Sequence, residues 1–515
     1  MKSSLRQGVD IKLSRCRATS FQATQQPCTE VKLLSTKKKA HAKKEEVRQI
    51  VLDVATSGDL VRKLDLVDVL QRIGVDYHYR KEIDELLHAV YNDRHGDLFV
   101  KLRDEQGNVT SDDVNTTMTL YDAAHLRTRG EHILDHIIAF NKMKLQSAMK
   151  KNLDPALAEE VRVTLETPRF RRVGRVEARR FISVYEKKAD RNSTILEFAK
   201  VDYNILQVLY CNELKELTIW WEDFKSRTDL LRFAQDRLVE MYFWMMAIVY
   251  EPDYLYSRIL LTKLILFLAL LDDIYDNYTS TEDSHIFTTA MERWDEKASE
   301  QLPANLRAFY SNLIRNTDEI VEELKSENNK NAEVVRKVIL DAVKCFHAEV
   351  KWRDEHYVPT DVEEHLQISM GSITAMQATN FVFISLGNVT TAEALEWVFT
   401  YPKIIRGLSV HARISNDIMS HEREQASDHM ASTVQTCMKQ YGVTIEEANE
   451  KLRVTIEEAW MDIVQGCLDQ EHPMELLGKV VTFAQSLDFM YKREDAYTLS
   501  SNLKDVLTSL FLKFV

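Results

Sequence analysis

The sequence LILFLALLDDIYD, residues 264–276, decides the fold class because an unbroken apolar run ends in an acidic cluster. The run from Leu264 to Leu271 predicts a buried central helix. Asp272 and Asp276 follow four residues apart, which places both carboxylates on one helix face. One interpretation is a charged helix end exposed to water. The helix dipole disfavours carboxylates at a C-terminus, however, so the pattern favours a bound cation that offsets their charge.

A second polar cluster lies in NDIMSHERE, residues 416–424. Asn416, Ser420 and Glu424 recur every four residues and therefore share one helix face. Alone, this pattern is typical of an ordinary polar helix face. Oxygen ligands from two helices suit Mg²⁺, which keeps several waters and takes phosphate oxygens to complete its octahedron. The two clusters together predict a site at which Mg²⁺ holds a diphosphate ester for ionisation.

The composition predicts an all-α protein. Only 13 Gly and 8 Pro occur in 515 residues, so there are few residues that punctuate turns and strands. The net charge of −13 argues against broad nucleic-acid binding. The six cysteines show no CxxC spacing, which fits a reducing compartment without a zinc site or disulfide framework. The longest apolar run is too short to span a bilayer, so stable membrane insertion is not expected.

The chain divides into three expected segments. Residues 1–44 are basic, with the run Lys37-Lys38-Lys39, and are compatible with a disordered extension or with a transit peptide. Short amphipathic patterns over residues 45–200 predict a first helical domain, and the longer apolar patterns over residues 201–515 predict a second. A basic stripe from Arg169 to Arg180 predicts a solvated or interdomain helix face rather than a nucleic-acid contact.

Two arginines and several aromatic residues are candidates for the rest of the site. Arg413 lies three residues before Asn416 on the same helix face, and Arg237 lies on another predicted helix. Arginine binds phosphate bidentately, although either residue could instead belong to a surface ion pair. Ionisation would leave an allylic cation that water quenches, so the site must be apolar and aromatic. The aromatic candidates, most of which also fit an ordinary core, are Trp244, Tyr275, Phe381, Phe383, Tyr491 and Tyr497.

Several further motifs accompany these clusters. They are LYDAAHLR (120–127), FRRV (170–173), EFAK (197–200), WW (220–221), RLVEMYFW (237–244), KWRDE (351–355) and YKREDAYT (491–498). With them, residues 60–515 resemble a plant terpene synthase of the type that makes sesquiterpenes in grasses. The resemblance implies a C-terminal class I terpenoid synthase helical bundle, which is catalytic, and an N-terminal relict α-barrel. No DxDD motif is present, so cyclisation started by protonation is not expected.

The resemblance also implies roles for individual residues. The first metal cluster corresponds to Asp272, Asp273 and Asp276, and the second to Asn416, Ser420 and Glu424. The substrate-binding positions correspond to Arg237, Asp272, Asp276, Arg413 and Asn416. Trp244 corresponds to a cation-facing aromatic residue, and the loop that caps the site corresponds to Tyr491, Asp495 and Tyr497.

Three departures from the family pattern favour either weaker activity or an incorrectly predicted gene sequence. Gln235 stands where the family usually has the first arginine of an RxR pair. The tryptophan-containing strand that helps to close the family's site is not recognisable in residues 1–50. Between Tyr91 and Lys101 the family usually carries a further helix, so the first domain is expected to be abridged.

The resemblance implies a carbon–oxygen lyase that ionises farnesyl diphosphate and releases a cyclic or acyclic sesquiterpene. Three Mg²⁺ ions are expected, with Mn²⁺ able to substitute, in a monomer located in the cytoplasm or alternatively in the plastid. Two alternatives remain open: a monoterpene synthase that uses geranyl diphosphate, and a catalytically weakened helical interaction protein of the same fold. A chain-elongating prenyltransferase is disfavoured because it would need a second aspartate-rich motif in place of NDIMSHERE.

Overall fold

The computed structural model describes residues 30–92, 113–151, 153–228, 235–425 and 431–515. Within these ranges the secondary structure is helical and no strand occurs, which confirms the all-α prediction. The predicted loss of a helix between Tyr91 and Lys101 falls largely outside the described residues, as does the character of residues 1–29.

The first helices of the chain are short, apart from the two that pack against each other, α1 and α8. They are α1 (Glu30–Ala55), α2 (Leu60–Arg72), α3 (Arg80–Asn92), α4 (Val114–Ala124), α5 (His132–Met149), α6 (Pro155–Glu166), α7 (Gly174–Tyr185) and α8 (Ser193–Ser226). Local sequence sets their starts. Before α6, for example, the carboxylate of Asp154 accepts the N–H of Ala156 at 2.9 Å, and Pro155 occupies the first helical position.

Helix α1 corrects the predicted extension of residues 1–44, because residues 30–44 are helical. The lysines of the basic run are exposed, and the helix is anchored further along by Val47 and Val51, which are fully buried. The hydroxyl of Tyr79 donates to the carbonyl oxygen of Lys44 at 3.0 Å. Basic composition therefore marks a solvated helix face here, and it cannot separate such a face from a disordered segment.

Helix α8 passes through the predicted domain boundary near residue 200 without a break. Its first half packs on α1, and near its end Phe224 contacts Phe267 of the apolar central helix, with ring centroids 5.5 Å apart. The division of the chain into residues 45–200 and 201–515 stays a prediction, but any boundary near residue 200 lies inside one helix.

The remaining helices form the larger core and carry the candidate site. They are α9 (Leu238–Ile248), α10 (Leu255–Asn277), α11 (Thr281–Arg293), α12 (Ala304–Ser326), α13 (Val334–Asp354), α14 (Val362–Ser372), α15 (Ala375–Ser385), α16 (Ala392–Phe399), α17 (Lys403–Glu424), α18 (Thr433–Tyr441), α19 (Ile445–Asp469), α20 (Met474–Tyr491) and α21 (Lys504–Phe511). Helix α10 packs against α9, α13 and α15, while α17 packs against α19 and α20.

Helix α10 is the central apolar helix that the sequence predicts. Leu264 and Leu271 are fully buried. By length and composition the helical segment Pro252–Asn277 could cross a membrane, although the sequence analysis excluded this from the length of its apolar run. Within the fold, 78% of its apolar window is buried, as in a core helix.

The basic stripe forms part of the contact between the two halves of the chain, as its interdomain interpretation predicts. Arg171 donates bidentately to Glu457 of α19 at 2.6 and 2.8 Å, and its guanidinium lies 4.9 Å from the ring centroid of Trp460. Burial opposes ionisation of Glu457, but Arg171 outweighs it and lowers the pKa of Glu457 to about 2. Arg171 is thus paired within the protein.

Candidate active site

The first acidic cluster lies in the last two turns of α10. Burial raises the pKa of Asp272 well above its ordinary value, and the carboxylates of Asp276 and Asp273 raise it further. Burial also raises the pKa of Asp273. Arg237, which forms an ion pair with Asp273 at 2.8 Å, opposes this rise. Three crowded carboxylates at the negative end of a helix are costly without a cation, which is the condition expected of a metal site.

The second cluster lies on α17 and is organised by Arg413. The guanidinium of Arg413 donates to the side-chain oxygen of Asn416 and forms an ion pair with Asp417 at 2.8 Å. Burial lowers the pKa of Arg413, but the charges of Asp417 and Glu349 outweigh it and raise the pKa above its ordinary value. Ser420 is fully buried one turn beyond Asn416, and Glu424 is the last residue of the helix.

Charged side chains of both clusters act on the same group, Arg413. The charges of Asp272 and Glu424 both act on the pKa of Arg413. Tyr491 lies at the same place: burial raises its pKa above the ordinary value, and a hydrogen bond with Asn416 opposes the rise. The structure therefore brings the end of α10, the end of α17 and the end of α20 together around Arg413.

Arg237 contacts the first cluster from an irregular segment and not from a helix as predicted. It is the residue immediately before α9, and residues 235–237 are not helical. Its guanidinium pairs with Asp273 and lies 4.4 Å from the ring centroid of Tyr497. Gln235 is exposed and donates to the carbonyl oxygen of Thr498 at 3.3 Å. The side chain of Gln235 therefore contacts the segment that follows Tyr497.

An aromatic group lies beside the charged residues. The ring of Trp244 meets those of Tyr491 and Tyr497 edge to face, with centroids 6.2 and 6.3 Å apart. The indole N–H of Trp244 donates to the hydroxyl of Ser486 at 2.8 Å, which fixes the ring orientation. By contrast, Tyr275 packs among core residues such as Phe346, which favours a core role for it. The core candidates Phe381 and Phe383 are likewise fully buried.

Asp495 organises the segment after α20. It is 1% exposed, accepts the backbone N–H of Thr498 at 3.0 Å and pairs with Arg423 at 2.6 Å. Arg423 is next to Glu424 on α17. Residues 492–499 are thus attached to α17 through Asp495 and to the entry of α9 through Gln235 and Arg237.

Sequence reasoning missed three residues of the site. Burial raises the pKa of Glu349 on α13 to about 8, and its carboxylate accepts the hydroxyl of Ser372 and lies 3.9 Å from Arg413. Asp417 was passed over although it lies one turn after Arg413, a spacing that predicts an ion pair. Arg353 donates to main-chain oxygens at the end of α10, and only its place in the KWRDE motif marked it.

The donor atoms fit a divalent cation that binds together with an anion. The Nε atoms of Arg237 and Arg413 and the hydroxyl of Ser420 are buried without a hydrogen-bond partner. No group of three or more His, Cys, Asp or Glu side chains in the described part of the chain could hold a metal alone. Mg²⁺ takes one or two protein carboxylates and completes its coordination with water and phosphate oxygens.

Comparisons with known sequences identify the same two-part organisation. A family described as "Terpene synthase family, metal binding domain" matches residues 222–462, and "Terpene synthase, N-terminal domain" matches residues 15–97 and 95–165. The chain is 46% identical to (E)-beta-caryophyllene synthase of Zea mays over 95% of this chain and 93% of that protein. It is 38% identical to zingiberene synthase of Sorghum bicolor, over 96% of this chain and 95% of that protein.

Solved structures with the same fold include isoprene synthase from grey poplar, in complex with three Mg²⁺ ions and dimethylallyl-S-thiolodiphosphate. The TM-score is 0.86 at 26% identity, covering 94% of this chain and 98% of that one. A limonene synthase complex with 2-fluorolinalyl diphosphate gives a TM-score of 0.87 at 25% identity, covering 93% and 95%. From the sequence matches and the fold together, we conclude that this chain belongs to the terpene synthase family.

Proposed function

We propose that this protein is a sesquiterpene synthase, a lyase that ionises farnesyl diphosphate and releases diphosphate and a cyclic or acyclic C15 hydrocarbon. The observation that carries the proposal is that Arg237 pairs with Asp273 of the acidic cluster and lies against the ring of Tyr497, which contacts Trp244. The grass relatives named above support the C15 substrate, since both are named as synthases of sesquiterpenes.

The metal ligands in this proposal are Asp272, Asp273 and Asp276 on α10 and Asn416, Ser420 and Glu424 on α17. When bound, the divalent ions supply Lewis-acid stabilisation of the departing diphosphate. We propose Mg²⁺ as the natural ion, three ions per site, and substitution by Mn²⁺. The isoprene synthase complex with three Mg²⁺ ions supports the number.

Arg237 and Arg413 bind the diphosphate and stabilise its charge as the carbon–oxygen bond breaks. Their buried Nε atoms have no protein partner, so each retains a donor for an anion. Binding also requires Arg237 to share its guanidinium between Asp273 and the diphosphate. Asn416 keeps Arg413 oriented through the hydrogen bond between their side chains.

Trp244, Tyr491 and Tyr497 act on the organic part of the substrate. Their rings present π faces to the allylic cation and occupy space from which water must be excluded. Asp495 acts by holding residues 492–499, which carry Tyr497, against α17. Product identity then depends on the contour that these rings give to the cavity.

The test is a product assay with the purified full-length protein and geranyl, farnesyl and geranylgeranyl diphosphate. We expect sesquiterpenes from farnesyl diphosphate, detected by gas chromatography and mass spectrometry, and loss of activity after EDTA that Mg²⁺ restores. Monoterpenes from geranyl diphosphate alone would favour the C10 alternative. Absence of product from all three substrates would contradict the proposal and favour a helical interaction protein.

We also propose that the protein is a cytoplasmic monomer. Scattered cysteines support a reducing compartment, and Cys211, Cys345, Cys437 and Cys467 are free thiols in the described residues. The basic residues 1–29 keep the plastid as the alternative. A fluorescent fusion in plant cells tests the location, and light scattering of the purified protein tests the oligomeric state.

A further inference from the structure

Arg353, at the end of α13, contacts the last turn of the helix that carries the aspartate cluster. Its Nη1 atom donates to the carbonyl oxygens of Tyr275 and Asp276 at 3.1 and 2.7 Å. Its Nη2 atom donates to the carbonyl oxygen of Thr279 at 2.7 Å. The side chain is 16% exposed, so these bonds form in a partly dry environment. Asp276 is therefore held through its main chain by a residue from another helix.

Asp354 extends this contact to the next helix. Its carboxylate accepts the Nε–H of Arg353 at 3.0 Å and the backbone N–H of Thr281 at 3.0 Å, and it also accepts the hydroxyl of Thr281. Thr281 is the first residue of α11. Hydrogen bonds from Thr281 and Arg353 lower the pKa of Asp354, so the carboxylate stays ionised. Arg353 and Asp354 together contact the end of α10, the connection at Thr279 and the first residue of α11.

The last carbonyl groups of a helix have no partners within the helix and carry its negative pole. At the end of α10 this pole coincides with three aspartates, so the local charge resists an ordered last turn. A guanidinium suits this position because it is always charged and its planar fork donates to several oxygens at once. Arg353 uses that fork on main-chain oxygens.

We propose that Arg353, oriented by Asp354, is a positioning residue for the metal-binding aspartates. It fixes the main chain of the last turn of α10, and so presents Asp272 and Asp276 in the arrangement that binds metal and diphosphate. This inference rests on the proposed function of the aspartate cluster and gives a role to the KWRDE motif.

The experiment uses the full-length variants Arg353→Met and Arg353→Lys, with Arg336→Met as the matched control. Arg336 lies on the same helix but contacts Asp318 and Glu333. Hydrogen exchange of the metal-free proteins reports order in residues 274–281. Calorimetric titration of Mg²⁺ in the presence of inorganic diphosphate reports binding, and the Mg²⁺ dependence of turnover reports function.

For Arg353→Met we expect faster exchange in residues 274–281 and binding of Mg²⁺ with diphosphate that is weaker by about 10-fold or more, as for other residues that orient metal ligands. Arg353→Lys should recover part of the binding, and Arg336→Met should match the parent. If Arg353→Met fails to fold, Asp354→Asn replaces it, because this change keeps the guanidinium but removes the charge that orients it, and it also weakens the contacts of Asp354 with Thr281; exchange in residues 274–279 and binding of Mg²⁺ with diphosphate should then change by less and with the same sign.

Two results would overturn the proposal: unchanged exchange in Arg353→Met, or faster exchange with unchanged binding of Mg²⁺ and diphosphate. The second result would reduce Arg353 to an anchor of the turn. Failure of the proposed function is distinguishable, because it shows as no turnover of any prenyl diphosphate by the parent protein. Hydrogen exchange and calorimetry test the role of Arg353 without a measurement of turnover.

Discussion

Replacement of Arg413 by methionine should destabilise the protein strongly even before catalysis is measured. The side chain of Arg413 is 11% exposed, and its partner Asp417 is 3% exposed. Glu349, at 3.9 Å, is 5% exposed. Arg413→Met therefore leaves the buried carboxylate of Asp417 without its cation and removes the positive charge beside Glu349. Removing one member of a buried ion pair costs about 3–5 kcal/mol, a large part of the roughly 5–15 kcal/mol that a typical domain has.

The assay is equilibrium urea unfolding of Arg413→Met, Asp417→Asn and the double variant. If the destabilisation of Arg413→Met comes from an unpaired, desolvated carboxylate, adding Asp417→Asn should recover part of the lost free energy of unfolding. The coupling free energy between the two changes should be about 0.5–3 kcal/mol. Arg413→Lys keeps the charge and should fold, but it should turn over more slowly because it loses the fork that binds diphosphate. A stability of Arg413→Met within about 0.5 kcal/mol of the parent would refute the arrangement around Arg413.

Asp272→Ala and Asp276→Ala should each cost several kcal/mol of transition-state stabilisation, at about 1.4 kcal/mol per tenfold loss in kcat/KM, with an unchanged circular dichroism spectrum. Normal turnover by Asp272→Ala with intact metal dependence would remove this residue from the site. Glu424→Gln should raise the Mg²⁺ requirement more than Ser420→Ala, because a full charge is lost and not a dipole; equal and negligible shifts in Mg²⁺ titrations would mean that this helix face is merely polar. Burial raises the pKa of Asp76 from 3.8 to about 6, so the stability linked to this group is present below pH 3.8 and lost as the pH rises through about 6. Asp76→Asn should therefore exceed the parent in stability by up to about 3 kcal/mol at about pH 8 and by less at about pH 5; an advantage in urea unfolding that does not grow with pH would contradict this.

The helices could be predicted from the sequence because their signals are local. Few Gly and Pro residues and the apolar run of α10 sufficed for the fold class, and the four-residue spacing of Asn416, Ser420 and Glu424 placed them correctly on one helix. Features that depend on contacts between distant segments were harder to predict from the sequence. Residues 30–44 belong to a helix that is buried further along at Val47 and Val51, which composition does not reveal.

The same distinction applies to the site. Charged residues with motif spacing were found, whereas Glu349 was missed because it becomes noticeable only when packing brings it near Arg413. We predicted that Arg237 lies on a helix, but it is the last non-helical residue before α9. A regular helix would have turned Gln235 and Arg237 to different sides, whereas residues 235–237 are not helical.

The continuity of α8 limits how this enzyme can be divided or recombined. One continuous helix runs from Ser193 to Ser226 and belongs to both halves of the chain, so there is no hinge at residue 200. A fragment that starts at residue 201 would lose the first two turns of this helix, including the buried Ile195 and Phe198. Chimeras with other synthases should therefore be joined before Asn192, whose side chain caps the helix.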